Sequence, residues 1–170
     1  MDLKTFIRDV PDYPKPGIAF KDITPLLSDK GAFKYAIDQL VEKHSDKNID
    51  VVVGIDARGF IFAAPVAHQL ETGLAIVRKP GKLPRSCVSE DYALEYASNT
   101  LQMHEDAIKS GQNVLIVDDV LATGGTMEAT CKIVEKLGGK IVGIEFLIEL
   151  GFLKGKEKLQ NYTIESLIIY

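Results

Sequence analysis

This sequence has little from which to build a disulfide staple, a metal centre or a membrane anchor. Two of the 170 residues are cysteines, Cys87 and Cys131, in neither CxxC nor metal-ligand spacing. That argues against a secreted disulfide scaffold and a thiolate metal site, and it suits a reducing compartment, with both cysteines acting as small apolar residues. His44, His68 and His104 also fall in no metal-binding spacing and are read as structural or surface residues. No apolar run approaches the roughly 18 residues of a membrane span. The opening "MDLKTFIRDV" sets Asp2 and Asp9 where a secretory leader has basic and then apolar residues, so a cytoplasmic location is expected. Basic charge is in deficit as well: 20 Lys+Arg stand against 24 Asp+Glu, a net charge of -4. A general nucleic-acid binder normally carries the opposite sign. GxxxxGK[ST] and GxGxxG patterns are missing, which weakens nucleotide-kinase and dinucleotide readings. Repeats, linkers and low-complexity stretches are missing too, so residues 1–170 are expected to form one domain.

Apolar periodicity supplies the elements. Leu3, Phe6, Ile7 and Val10 follow helical spacing behind a candidate Asp2 cap, and the prolines of "PDYPKPG" end that helix and begin an irregular arm. Phe33, Ala36, Ile37, Leu40 and Val41 predict a helix after Ser28 and Asp29. "VVVGI" (51–55), "LAIV" (74–77), "NVLIV" (113–117) and "KIVGIEFLI" (140–148) predict buried strands, with "TIESLIIY" a candidate last one. Between them "GFIFAAPVAHQL" predicts a helix despite Pro65, and "TMEATCKIVEKL" one that Gly138 and Gly139 stop. Continuous apolar strands alternating with helices imply an α/β fold with an open, mostly parallel, doubly wound sheet. Residues 79–104 carry weak helix signal, and so long an insertion is expected to be a lid, a binding hairpin or both.

In such a sheet, ligands sit beyond the carboxyl ends of the strands, so those ends are read together. The first expected end is "DARG" (56–59), the second "RKPGKLPR" (78–85), the third "DDVLATGG" (118–125). Thr123, Gly124, Gly125 and Thr126 would join a strand to a helix, aiming backbone N–H groups and the helix dipole at an anion such as a phosphate monoester. Taken alone, this turn reads more readily as a ligand-free strand-helix junction. The adjacent Asp118 and Asp119 change the balance, because paired carboxylates at a strand end need donors or a cation. A vicinal diol supplies two donors, and a nearby Mg²⁺ would relieve the charge. Diol-binding carboxylates followed by a phosphate cradle describe a receptor for ribose 5-phosphate. Arg78, Lys79, Lys82 and Arg85 form a local basic run suited to phosphate or pyrophosphate, and Arg58 adds a cation at the neighbouring end. Asp56 is also read there simply as a cap of the next helix.

These residues also carry a resemblance. "VLIVDDVLATGGT" looks like the phosphoribosyl-diphosphate signature of the type I phosphoribosyltransferase family, and "DYPKPGIAFKDITPLL", "GIDARGF", "RKPGKLP" and "YALEY" resemble its adenine-specific branch. The resemblance implies transfer of the 5-phosphoribosyl group of phosphoribosyl diphosphate (PRPP) to adenine, giving AMP and pyrophosphate. It also implies a small N-terminal hood (about 1–30), a flexible lid hairpin within 79–104, Mg²⁺ carried by PRPP and pyrophosphate without a direct protein ligand, and a homodimer. On that resemblance Asp118 and Asp119 hold the ribose hydroxyls and Ala122, Thr123, Gly124, Gly125 and Thr126 the 5-phosphate. Asp56, Ala57, Arg58, Arg78, Lys79 and Lys82 meet pyrophosphate, with a cis peptide between Asp56 and Ala57 and Arg78 reaching toward a partner subunit. Phe20 stacks on adenine, backbone groups of Ala19 and Lys21 read its edge, and Leu121 borders it. Glu95 is the expected acid/base and Tyr96 its neighbour in the lid.

Three positions depart from the family pattern: Lys21 replaces a hood arginine, Ala97 a lid glycine, and Gln102 a glutamate, so no catalytic role is assigned to Gln102. A related enzyme using another base, a sensor of PRPP without turnover, and a receiver domain phosphorylated on Asp118 or Asp119 are the competing readings. The last leaves the Thr-Gly-Gly-Thr turn and the basic loop without a purpose.

Overall fold

A computed structural model of the chain describes residues 1–94 and 97–170, apart from the side chains of 93, 94, 97 and 98. A 3-10 turn, Leu3–Phe6, leads into β1 (Arg8–Val10) and β2 (Phe20–Asp22), followed by α1 (Thr24–Ser28) and α2 (Lys30–Glu42). Next come β3 (Val51–Ile55), α3 (Gly59–Gln69), β4 (Gly73–Val77), β5 (Cys87–Leu94), β6 (Ala97–His104) and β7 (Asn113–Leu121). The chain continues through α4 (Gly125–Lys136), β8 (Lys140–Glu149), two 3-10 turns and β9 (Ile164–Ile169).

The unbroken apolar run of β3 is buried at every residue because both faces of its sheet are covered. Val52, with Leu115 and Val117 of β7, packs under Leu40 of α2 and Phe62 of α3. Val53, with Val114 and Ile116, packs under Ile133 of α4 and Met103 of β6 on the other face. The sheet is parallel, in the order β4-β3-β7-β8-β9. Helices α3 and α4 follow the adjacent strands β3 and β7 but cover opposite faces. The two connections therefore diverge at the carboxyl ends of β3 and β7 and open a crevice there, which is the topological switch point.

The structure corrects several sequence expectations and sharpens others. Asp2 does cap the first turn, accepting from the Lys4 N–H, but that turn ends at Phe6. Arg8–Val10 is instead a strand, because "PDYPKPG" folds the chain back, Tyr13 N–H donating to the Ile18 carbonyl, and brings Phe20–Asp22 alongside as an antiparallel partner. "LAIV" lies in the edge strand β4, so Leu74 is 44% exposed instead of buried. The third strand does not stop at Val117. Pairing with β8 continues through Asp118 and on to Leu121, which places both aspartates inside the strand. The insertion holds the antiparallel pair β5-β6, whose lower part joins the core through Val88, Leu101 and Met103. Finally, His44 is buried with its Nε2 2.7 Å from Glu145 Oε1, an acid that sequence reading left inside an apolar strand.

Candidate active site at the ends of β3 and β7

The crevice is built from the third strand outward. After Leu121, the segment Ala122 to Gly124 turns into α4 with Gly124 as its N-cap, at φ 82° and ψ -7°. That left-handed conformation favours glycine, and no side chain caps the helix. The first N–H groups of α4 therefore face the turn without a side-chain acceptor, at the positive end of the helix dipole. A cavity of about 100 Å³ lies there, lined by Asp118, Leu121, the segment 122–127 and Phe146. The turn is held tightly from outside. A Cβ placed on Gly124 would lie 2.5 Å from the Gly155 carbonyl oxygen, and one placed on Gly155 would collide with the Ala122 carbonyl.

Asp118 lines this cavity, Asp119 follows it in β7, and both are buried. Burial first, and then the neighbouring Asp119 carboxylate, push Asp118 well above the ordinary carboxylate range. Asp118 Oδ1 accepts from the Asp119 N–H at 2.9 Å, and Gly59 leaves room for that oxygen, since a Cβ there would stand 2.5 Å from it. Burial raises Asp119 too, opposed by Arg58. Arg58 Nε lies 2.6 Å from Asp119 Oδ2, yet this buried oxygen receives no aligned hydrogen bond. It thus has a charge neighbour but lacks a donor, as expected of an oxygen that would accept from a ligand hydroxyl.

Arg58 also joins the two halves of the crevice, because its guanidinium carbon lies 4.9 Å from the centre of the Phe20 ring. Phe20 is half-buried in β2 and makes an edge contact with Tyr13 at 5.3 Å. At the end of β3 the Asp56–Ala57 peptide is cis. Asp56 does not cap α3; it accepts from Arg78 Nε at 2.9 Å. Arg78 is further fixed by backbone hydrogen bonds to Gln102 in both directions, which tie the basic loop to β6. Lys79 and Lys82 are exposed. Arg85, the fourth member of the basic run, is engaged with both oxygens of Asp106 at 2.7 Å. Ala19 and Ala57 are exposed, whereas Leu121 is buried against the cradle. Glu95 and Tyr96 lie outside the described residues. The base of their hairpin is docked on α4, where Glu90 pairs with Lys132 and Lys136.

Sequence reading missed the part played by Gly155, which lies in no recognisable motif; only its packing against residues 122–124 reveals it. Among the described residues, no group of three or more His, Cys, Asp or Glu is arranged to hold a metal ion. Among the described residues, no helix is long and apolar enough to cross a membrane.

Comparison with known proteins adds an independent line. The Phosphoribosyl transferase domain family matches residues 27–166. The adenine phosphoribosyltransferase of Kosmotoga olearia is 58% identical over 170 residues, covering 100% of both chains. Among solved structures, the adenine phosphoribosyltransferase of Thermoanaerobacter pseudethanolicus superimposes with a TM-score of 0.97 at 50% identity, covering 99% of this chain and 98% of that one. The Saccharomyces cerevisiae enzyme, solved with adenine and an imino-altritol bisphosphate, gives 0.92 at 39% identity over 98% and 96%.

Proposed function

The chain belongs to the phosphoribosyl transferase family and, within it, to the adenine phosphoribosyltransferases, and from that premise we propose how its own residues perform the reaction. The family reaction, part of purine salvage, transfers the 5-phosphoribosyl group of PRPP to adenine and yields AMP and pyrophosphate. One observation above all supports the site assignment: a buried carboxylate pair leads directly into an uncapped helix start at the switch point of the sheet.

In this reading the N–H groups of the 122–126 turn bind the 5-phosphate, and Asp118 and Asp119 accept from the two ribose hydroxyls. Asp119 Oδ2 then gains its missing donor. Arg58, Lys79 and Lys82 receive the pyrophosphate, helped by the Asp56–Ala57 turn and by Arg78. Arg58 would move off Phe20 and Asp119 to do so, freeing the ring for adenine and the carboxylate for ribose. Ala19 and Lys21 offer a peptide C=O and N–H to adenine's amino donor and ring acceptor, a pair that oxo purines invert. Leu121 borders the base. Glu95 acts as acid/base at the imidazole-side nitrogen while a neighbouring ring nitrogen attacks the anomeric carbon, with Tyr96 beside it in the lid.

Mg²⁺ would be carried in by PRPP without a direct protein ligand, and the buried acids Asp118 and Asp119, of which Arg58 pairs only with the second, would stand near it. When bound with the donor, Mg²⁺ would supply charge neutralisation on the pyrophosphate that Arg58, Lys79 and Lys82 receive. A homodimer and a cytoplasmic location belong to the same proposal. Exposed Ile61 and Leu74 support the first, and the two free thiols, Cys87 and Cys131, the second.

The deciding experiment supplies Mg²⁺ and PRPP with adenine, guanine, hypoxanthine or xanthine and follows nucleotide and pyrophosphate. AMP from adenine alone is expected. Tight donor binding without nucleotide from any base would overturn the catalytic reading in favour of a sensor. Sedimentation of the same sample reads the oligomeric state, and a monomer at assay concentration would remove the dimer.

A further inference from the structure

Lys21 is engaged through its side chain as well as through the backbone assigned above. Its ammonium is largely withdrawn from water, the side chain being 10% exposed. Nζ lies 2.6 Å from Oδ1 of Asp9, its direct cross-strand neighbour in β1. The same Nζ stands 3.8 Å from the centre of the Tyr170 ring, and Lys4 Nζ stands 5.1 Å from that centre. Tyr170 is itself fastened to the sheet: its N–H donates to the Glu149 carbonyl at 3.0 Å, and its carbonyl accepts from Gly151 N–H at 2.9 Å. A continuous set of contacts thus runs from the carboxyl end of β8, through an aromatic ring, to the strand that carries Phe20.

The β1-β2 hairpin needs such a tether. It has three residues in each strand, and an isolated two-stranded ribbon is marginal in water. Asp9 is 61% exposed, and ion pairs that open to solvent hold weakly. A cation over a ring face is stronger where the cation is desolvated, as Lys21 is. Burial, with Asp9 and Asp2 nearby, pushes the Tyr170 phenol above its ordinary value, so it stays neutral in the working range and acts through its ring face.

We propose that Tyr170 is a positioning residue for base recognition: its ring holds the Lys21 ammonium and thereby fixes β2 over the crevice, so that the Ala19 to Lys21 backbone meets the edge of the base. This rests on the reading that the hood recognises adenine, and its test separates the two.

Steady-state kinetics of Tyr170→Leu should show KM for adenine raised about five- to tenfold, with KM for PRPP and kcat within about twofold of the parent. Tyr170→Phe, which keeps the ring face, should restore the parent KM. Lys21→Met should reproduce the Tyr170→Leu effect, and the double variant should add little to either single change. The proposal is overturned if Tyr170→Phe is as impaired as Tyr170→Leu, if both KM values rise together, or if KM for adenine does not move. Should circular dichroism show Tyr170→Leu unfolded, Lys21→Met decides alone: a selective rise in KM for adenine supports the tether, and an unchanged value removes it. Failure of the unmodified protein to form AMP would instead undo the adenine reading itself.

Discussion

The turn proposed to cradle phosphate and the N-terminal hood meet the same crevice but are held by different means. The cradle is backbone: a turn between a buried strand and a helix, its shape fixed by a left-handed Gly124 and by the Gly155 carbonyl pressed against it. The hood is a hairpin of three-residue strands, positioned by side chains: Lys21 on Asp9 and Tyr170, Phe20 on Tyr13 and Arg58. Removing one side chain leaves the cradle's backbone in place, whereas the hood's own backbone framework is a short pair of three-residue strands. The cradle should therefore fail through backbone changes and affect the donor, while the hood should fail through side-chain changes and affect the base.

Gly124→Val tests the first half most severely. It puts a branched side chain where φ is positive and a carbonyl stands in the way, and kcat/KM for PRPP should fall about a hundredfold or more, read by steady-state kinetics. A smaller loss would mean that side chains, not the turn, hold the phosphate.

Asp118→Asn comes next, with an expected loss of about ten- to hundredfold in the same parameter as a charged acceptor is removed. Stability should move the other way. Burial raises the folded-state pKa of Asp118 above its ordinary value of 3.8, so folding favours the protonated acid. Stability of the ligand-free protein from this group is then fully present below about 3.8 and is lost as pH rises toward the higher folded value. The Asn variant, never ionised, should have a higher Tm than the parent at neutral pH and a flatter Tm-against-pH curve across the acid range. A lower Tm would mean that Arg58 more than compensates the buried charge.

Phe20→Leu should act on the hood alone, raising KM for adenine about tenfold through lost stacking while sparing KM for PRPP. Equal effects on both substrates would merge the two regions into one. The smallest change is expected from Arg8→Ala. Its contact with Asp22 is 3.8 Å long and its side chain is 67% exposed, so both KM values should stay within about twofold of the parent. A larger shift would show that the hood also depends on its solvent-facing ion pair.

The sequence was most legible where one interaction dominates. The strands β3, β7 and β8 and the helices α2, α3 and α4 stand out because both faces of the sheet are covered, leaving long apolar runs and helical stripes. "DDVLATGG" was legible for a different reason: paired acids and paired glycines at a strand end have few cheap structural uses. β5 was hidden because "CVSEDYAL" places the acid Glu90 between Val88 and Tyr92, the two residues that pack against the core, and so breaks the apolar alternation. β1 was hidden because its apolar spacing over a few residues fits a helix as well, and only the return of the chain supplies its partner. Contacts between residues far apart in sequence were not legible at all. Arg58 against Phe20, Tyr170 against Lys21 and Glu145 against His44 depend on the folded arrangement.

The close approach of Gly124 and Gly155 has a consequence for inheritance. A Cβ on Gly124 meets the Gly155 carbonyl and one on Gly155 meets the Ala122 carbonyl; both obstacles are backbone, so no substitution at one site makes room for a side chain at the other. In a library randomised at both positions and selected for growth on adenine as sole purine, survivors should return glycine at 124 and 155 together. A survivor with any other residue at either position would show that the segment after β8 can shift to make room for it.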